Sequence, residues 1–308
     1  MVKQFTDITD RKWALHTPEA RFLRKNLPTG IWDGLERFFL ETGLNSPEAA
    51  AVLDYLHQNS EIARCVRIRP SDALPFEMIY RKKPPSTPVD RFCVRSKGAL
   101  GIYLRLLALK DILPDIIRCE LDRNPQRKEN FIVLDLFSGP SHYMLEVLHE
   151  NPDLAERVQV QAVDYDRRAL DIGEKRAEHL GVRDSFMFIH EAAEKVPPAG
   201  AHLVLLIGIL CPLATHTGTK LVGAARQHIL EKGLIIYSTV QQPMLYGDPL
   251  LDALMRGMNW TMDYKSEKEA ESMGTAADYH IEGAFHDALG YNRMTIGRIS
   301  HQASTTDM

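Results

Sequence analysis

Phe131-Ile132-Val133-Leu134-Asp135-Leu136-Phe137, followed at once by Ser138-Gly139-Pro140-Ser141-His142-Tyr143, decides the fold. The first seven residues are apolar but for one aspartate. The run is too short for an ordinary helix, and it suits a strand buried on both faces. Ser138-Gly139-Pro140 breaks it, and helical spacing then continues through Leu148. Strand, glycine turn and helix in that order make one unit of a parallel sheet.

The same pattern repeats outward from this point. A second apolar run over 158–163 ends in Asp164, with a helix expected over 168–180. A third strand is expected at 186–189. Residues 201–210 form the most hydrophobic stretch and read as a fourth, fully buried strand. A helix over 219–230 and a fifth strand over 233–239 follow, then a helix near 249–258 and strands over 260–265 and 292–299. The expected architecture is α/β: a Rossmann-like, doubly wound, mostly parallel seven-stranded sheet. Upstream the texture is helical. Ser46-Pro47 reads as an N-cap with proline at the first helical position, followed by Ala49, Val52, Leu53 and Leu56 at helical spacing. Ile31, Trp32, Leu35, Phe38 and Phe39 trace an earlier stripe, and Ala99, Ile102, Tyr103, Leu106, Leu107, Leu109 and Leu113 a later one. Between the later two stripes, the segment from Arg81 to Pro88 carries three prolines and reads as a connector. Three parts are therefore expected: a helical extension over 1–125, acting as a lid or substrate domain, the sheet domain over 126–300, and a frayed tail over 301–308.

Composition narrows the function classes. The 308 residues include 37 Lys or Arg and 41 Asp or Glu, for a net charge of -4. With 44% hydrophobic and 25% charged residues, the chain can bury a core, which argues against disorder or a fibrous repeat. A slightly acidic balance offers no electrostatic footprint for nucleic acid or an anionic membrane. No run of about 18 apolar residues is present to span a bilayer, and MVKQFTDITDRKW lacks the apolar segment of a secretory signal. Cys65, Cys93, Cys119 and Cys211 are scattered without C-x-x-C spacing, so no metal site or disulfide framework is indicated. A soluble, reduced, cytoplasmic protein is the expectation. Oligomeric state stays open, a homodimer among the options.

In a doubly wound sheet a ligand sits beyond the carboxyl ends of the strands, so chemistry is read from the turns that follow them. Gly139 lets backbone approach a ligand, and the helix after it presents free N–H groups. Asp164 ends the second strand 25 residues later. A carboxylate there can accept from both hydroxyls of a nucleoside ribose. Capping the next helix is the other use of an acid here, for which Asp166 is well placed. Tyr165 would cover a purine face, and Glu191 would accept from its exocyclic amine. Of G-x-G-x-x-G only Gly139 is present, which disfavours a dinucleotide, and no G-x-x-x-x-G-K-[ST] exists for a triphosphate. Asp135 would repel phosphates but suits a ligand bearing an ammonium and a sulfonium.

Together VLDLFSG, VDYD and FIHEAA, then a buried strand and a terminal pair of strands, resemble the class I S-adenosylmethionine-dependent methyltransferases. The resemblance covers about residues 130–300. SGPSHYMLE, YSTVQQPMLYGDPLLDALMRG and MDYKSEKEAESMG are similar, more narrowly, to a little-described bacterial methyltransferase family with a helical N-terminal extension, reaching back to about residue 75. The resemblance implies S-adenosyl-L-methionine as cofactor. Asp135, Ser138 and Gly139 would hold its amino-acid portion, Asp164 its ribose, and Tyr165, Glu191 and Ala192 its adenine, with Gly208 under the transferred group. The sequence departs from the usual first motif at Pro140-Ser141-His142.

Methyl transfer from a sulfonium needs alignment and exclusion of water more than acid–base help. His216 is a candidate base or acceptor-orienting group, or else a surface loop histidine. Tyr143 could set its ring against the sulfonium, or simply pack. Tyr246, Gln241 and Gln242 follow the fifth strand, where substrate contacts or ordinary loop hydrogen bonds fall; His280 and His286 have no assigned place. Leu210-Cys211-Pro212-Leu213 stands where an Asn-Pro-Pro-Tyr signature would mark methylation of base or glutamine amino groups, which points to a small-molecule acceptor, as in secondary metabolism. Two alternatives stay open. One breaks another bond of the same sulfonium, by 3-amino-3-carboxypropyl transfer or by cyclisation to azetidine-2-carboxylate with release of methylthioadenosine. The other is a noncatalytic binding protein.

Overall fold

The computed structural model describes residues 46–69, 73–126, 129–247 and 260–299, with isolated positions between 34 and 43 and between 252 and 256. Most of the expected stripe at 31–39, the helix near 249–258 and the tail at 301–308 lie outside the described residues.

Among the described residues, five helices with full bounds precede the sheet: α1 (Pro47–Asn59), α2 (Glu61–Ile68), α3 (Ala73–Ile79), α4 (Pro88–Cys93) and the 27-residue α5 (Lys97–Arg123). Their starts follow local chemistry. Ser46 caps α1, its side chain accepting from the Ala49 N–H with Pro47 at the first turn, as its sequence predicts. Thr87 and Asp90 form a reciprocal capping box for α4. The Pro84-Pro85 segment is the connector expected there.

The sheet elements then alternate: β1 (Phe131–Leu136), α6 (His142–Glu150), the short α7 (Pro152–Ala155), β2 (Val158–Asp164), α8 (Arg167–Leu180), β3 (Phe186–His190), β4 (Ala201–Leu206), α9 (Thr215–Ala225), β5 (Ile229–Val240), α10 (Gln242–Gly247), α11 (Glu267–Thr275), β6 (Tyr279–His286) and β7 (Asn292–Ile299). The order across the sheet is β3-β2-β1-β4-β5-β7-β6. The first five strands are parallel, while β7 runs antiparallel to both β5 and β6. The seven-stranded, mostly parallel α/β architecture is thus the one expected.

Two details differ. Residues 260–265 are not a strand; only Lys265 makes a bridge, to Gln241. The sixth strand is Tyr279–His286, a partly exposed edge with a register shift between Ile281 and Gly283. Its histidines and glycine mask the alternation that marks a strand. The helix expected at 219–230 runs instead from Thr215 to Ala225, and β5 begins at Ile229.

Parallel strands must bury both faces, and the burial alternates accordingly. Phe131, Val133 and Leu203 face a cluster that includes Leu113 and Ile116 of α5 and Met144 of α6. Leu134, Val204 and Ile235 face a second cluster with Val222 and Met273. Helix α5 therefore belongs to the core of the sheet. Arg298 of β7 fastens it there, bonding Glu120 at 2.8 Å. Among the described residues no helix is long and apolar enough to cross a membrane.

Candidate functional site

The strand order reverses between β1 and β4, whose crossovers leave on opposite sides, and a crevice opens beyond their carboxyl ends. There a cavity of about 490 Å³ is roofed by α3 and α5 and floored by the turns after β1, β2 and β4. Its size fits a small-molecule ligand, for which pockets of roughly 300–1,000 Å³ are usual. Most of the wall is apolar: Phe76, Ile102, Ile207, Met244 and Trp260 contribute. Ser138, His142, Tyr143, Asp164, Arg105 and Asn292 supply polar groups.

The floor is a tightly wound turn. Phe137, Gly139 and Ser141 all have positive φ, at 57°, 53° and 55°. Left-handed backbone is uncommon outside glycine, and two such residues persist only where neighbours hold them. Ser138 N–H donates to the Val163 carbonyl at 3.0 Å, and the Ser141 hydroxyl donates to Asp135 at 2.6 Å. Gly173 of α8 approaches from behind, where an added Cβ would lie 2.7 Å from the Pro140 carbonyl oxygen and 2.8 Å from the Phe188 ring. The Gly173→Ala variant should therefore shift the turn. We expect a loss of about 1–3 kcal/mol in urea unfolding from overpacking, and no loss would show that the helix can slide away.

Asp164 joins the first two turns. One carboxylate oxygen accepts from the Gly139 N–H and the other from the Asp166 N–H, both at 2.8 Å. The Tyr165 N–H is a further partner, and a carboxylate with about four acceptor directions keeps capacity beyond these three bonds on a residue that lines the cavity. Burial raises its pKa, against the backbone N–H groups that stabilise the anion. Helix capping belongs to Asp166, whose side chain accepts from the Arg168 N–H.

The other anticipated residues divide. Ser138, Gly139, Tyr143, Tyr165 and Gly208 line the cavity with Asp164. Tyr165 is 62% exposed, at the rim. Asp135 does not reach the cavity as expected. It is wholly buried beneath the turn, with its oxygens taken by the hydroxyls of Ser141 and Tyr143. Burial pushes its pKa up to about 7 despite those two bonds. Glu191 and Ala192 stand beside the enclosed space rather than in it: the Glu191 N–H donates to the Asp164 carbonyl, and its side chain accepts from the Ala192 N–H.

On the acceptor side, His216 is exposed in the first turn of α9, beside Thr217, and is not among the cavity walls. Tyr246 falls in α10, but its side chain lies outside the described residues. Gln241, Gln242 and His286 line a separate depression with Lys265, and His280 is exposed on β6.

Several cavity residues escape the sequence reading. His142 is paired in the interior with Glu77 of α3, and Tyr80 packs edge-on against its ring at 5.6 Å. Arg105 points from α5 toward Tyr80 and Asn292. A signal for Arg105 exists in the sequence, since it interrupts an apolar helix face between Ile102 and Leu109. Nothing local signals that Glu77 meets His142. Among the described residues no group of three or more His, Cys, Asp or Glu could hold a metal ion.

No protein-family model matches the sequence, and comparison with curated proteins finds no match. Solved structures do match. A possible exported protein from Bordetella parapertussis superposes with a TM-score of 0.66 at 17% identity, over 92% of this chain and 99% of that one. Magnesium protoporphyrin IX methyltransferase from Synechocystis PCC 6803, with bound SAH, gives 0.53 at 13% identity, over 73% and 93%. The pyocyanin biosynthetic protein PhzM gives 0.51 at 15% identity, over 92% and 77%. Strand order, antiparallel seventh strand, crossover crevice and these superpositions together give this chain the fold of the class I S-adenosylmethionine-dependent methyltransferases.

Proposed function

We propose that this protein is an S-adenosylmethionine-dependent methyltransferase acting on a small molecule in the cavity between the sheet and helices α3 and α5. The observation that carries this reading is Asp164, which ties the first two crossover turns together and faces the cavity with acceptor capacity to spare. An adenosyl ribose offers two adjacent hydroxyl donors to such a carboxylate. The cradle also fits: a Cβ at Gly139 would meet nothing within 4 Å, so the turn opens onto free space.

In this reading Gly139 and Ser138 pass under the amino-acid portion and Tyr165 covers the purine at the rim. Glu191 and Ala192 meet its outer edge, and Gly208 lies under the transferred group. When bound, S-adenosylmethionine supplies an electrophilic methyl on a positively charged sulfur. Asp135 acts at one remove. Tyr143 donates its hydroxyl to Asp135 beneath the turn, which fixes the residue where it lines the cavity and can offer its ring to a cation. Helices α3 and α5 exclude water, and their apolar walls favour an acceptor that is itself largely apolar.

A second reading is favoured by one observation. Among the described cavity residues Tyr143 is engaged by Asp135 and the Nε2 of His142 by Glu77, which leaves the buried Nδ1 of His142 as the ring nitrogen without a partner. An acceptor arriving protonated would have to reach that enclosed nitrogen to find a base. The cofactor's carbon chain is then the competing electrophile, with cyclisation or aminocarboxypropyl transfer releasing methylthioadenosine. Purified protein incubated with S-adenosylmethionine separates the two. S-adenosylhomocysteine formed only with added acceptor extract supports methylation, and methylthioadenosine formed without acceptor supports cyclisation.

The Asp164→Ala variant should bind S-adenosylhomocysteine and methylthioadenosine about 10- to 100-fold more weakly, corresponding to roughly 1–3 kcal/mol for a charge-assisted hydrogen-bond partner. The two losses should match, because both ligands carry the ribose. Unchanged titration calorimetry for either would remove the ribose assignment.

A further inference from the structure

Arg105 is a buried cation in the roof of the cavity. It is 5% exposed, and among the described residues no carboxylate stands within ion-pair distance of it. A guanidinium carries five N–H donors in a planar fork. Here one terminal nitrogen donates to the Asn292 side-chain oxygen at 3.4 Å and the other to the Tyr80 hydroxyl at 3.5 Å, both long, and the Cys211 thiol is a further partner; all three are neutral groups. The Nε donor has no partner. The nearest acid in the chain of contacts is Asp287, one residue removed through Asn292. Its oxygens are occupied by the N–H groups of Leu289, Tyr291 and Asn292 and by the Asn292 amide. The fork lies over the end of β4, where a Cβ on Gly208 would be 3.4 Å from Nη2.

A buried charge left without a counter-ion costs several kcal/mol, and structures retain one where something else supplies the opposite charge. A carboxylate matches the guanidinium fork with two parallel hydrogen bonds, and the Tyr80 hydroxyl stands beside it as a further donor. We propose that Arg105 receives a carboxylate of the ligand bound in this cavity. The proposal rests on the cofactor reading above for the identity of its neighbours. Two carboxylates could arrive there: that of the cofactor's own amino acid, or one on the acceptor.

The test compares wild type with Arg105→Met, which keeps length and apolar bulk. Removing an uncompensated buried charge should leave the unliganded thermal midpoint unchanged or higher; a fall would mark Arg105 as a structural group and overturn the proposal. Calorimetry then reads S-adenosylhomocysteine against methylthioadenosine, which lacks the amino acid, and a thermal-shift series reads benzoate against benzamide. A loss of tenfold or more for S-adenosylhomocysteine, with methylthioadenosine unchanged, assigns the fork to the cofactor's carboxylate. Unchanged S-adenosylhomocysteine affinity, with a benzoate stabilisation that benzamide does not give and that vanishes in the variant, assigns it to the acceptor's. Identical behaviour of wild type and variant toward all four compounds overturns the proposal. If wild type binds neither nucleoside, the cofactor reading falls while the benzoate comparison still decides Arg105. Arg105→Lys, which keeps the charge without the fork, should lose the same ligand less severely than Arg105→Met.

Discussion

The Gly139→Val variant is expected to lose S-adenosylhomocysteine binding by at least about 100-fold while remaining folded. Two effects combine, and they fall on different states. Gly139 sits at φ 53°, where a β-branched residue costs on the order of 1–2 kcal/mol of backbone strain. That strain lowers the thermal midpoint by a few degrees and does not unfold a chain with cores on both faces of its sheet. The larger effect is exclusion. Because an added Cβ meets nothing within 4 Å, valine's methyl groups project into the open space that the ligand needs, and no neighbour has to move to admit them. Gly139→Ala should fall between valine and wild type. Circular dichroism checks the fold and titration calorimetry the affinity. Wild-type affinity in the valine variant would show that this turn does not touch the ligand.

The parts of this site that are legible in the sequence are those whose physics is local. A glycine at a strand-to-helix corner, an acid at the end of the next strand and the capping serine and aspartate at 46 and 166 each act within a few residues of themselves. Gly139 and Asp164 are found this way. So is the alternation of strands and helices, because parallel strands buried on both faces need continuous apolar runs. What is not legible depends on contacts distant in sequence. Arg105 meets Asn292 across 187 residues, and His142 meets Glu77 across 65. The Tyr279–His286 edge strand hides because only part of it is buried, so its side chains need not alternate. His216 follows β4 on the side where a ligand is expected, yet it is exposed at the start of α9, the surface position of its alternative reading.

Asp135 stands near the end of β1, where a ligand contact is expected, yet it is enclosed beneath the turn and does not line the cavity. Its buried carboxyl has a pKa of about 7, against 3.8 for an exposed aspartate, with burial as the main cause. The folded state thus holds this proton more tightly than the unfolded state. Its stabilising contribution is complete below pH 4, declines as the pH rises from about 4 to 7, and is lost above that. A gap of this width corresponds to on the order of 4 kcal/mol. Other carboxyls add their own pH dependence, Asp164 and Asp287 with raised pKa values and Asp90 and Glu146 with lowered ones, so the wild-type curve alone does not isolate the effect. The difference from Asp135→Asn does. Asparagine cannot ionise, though it satisfies the Ser141 and Tyr143 hydroxyls less well, so the variant should be the less stable protein at pH 5. Between pH 5 and pH 8 its stability relative to wild type should rise by about 2 kcal/mol or more in urea unfolding. A constant difference across that range would mean that Asp135 is already ionised at pH 5. Its charge would then be compensated by more than the two hydroxyls, and burial would not govern its titration.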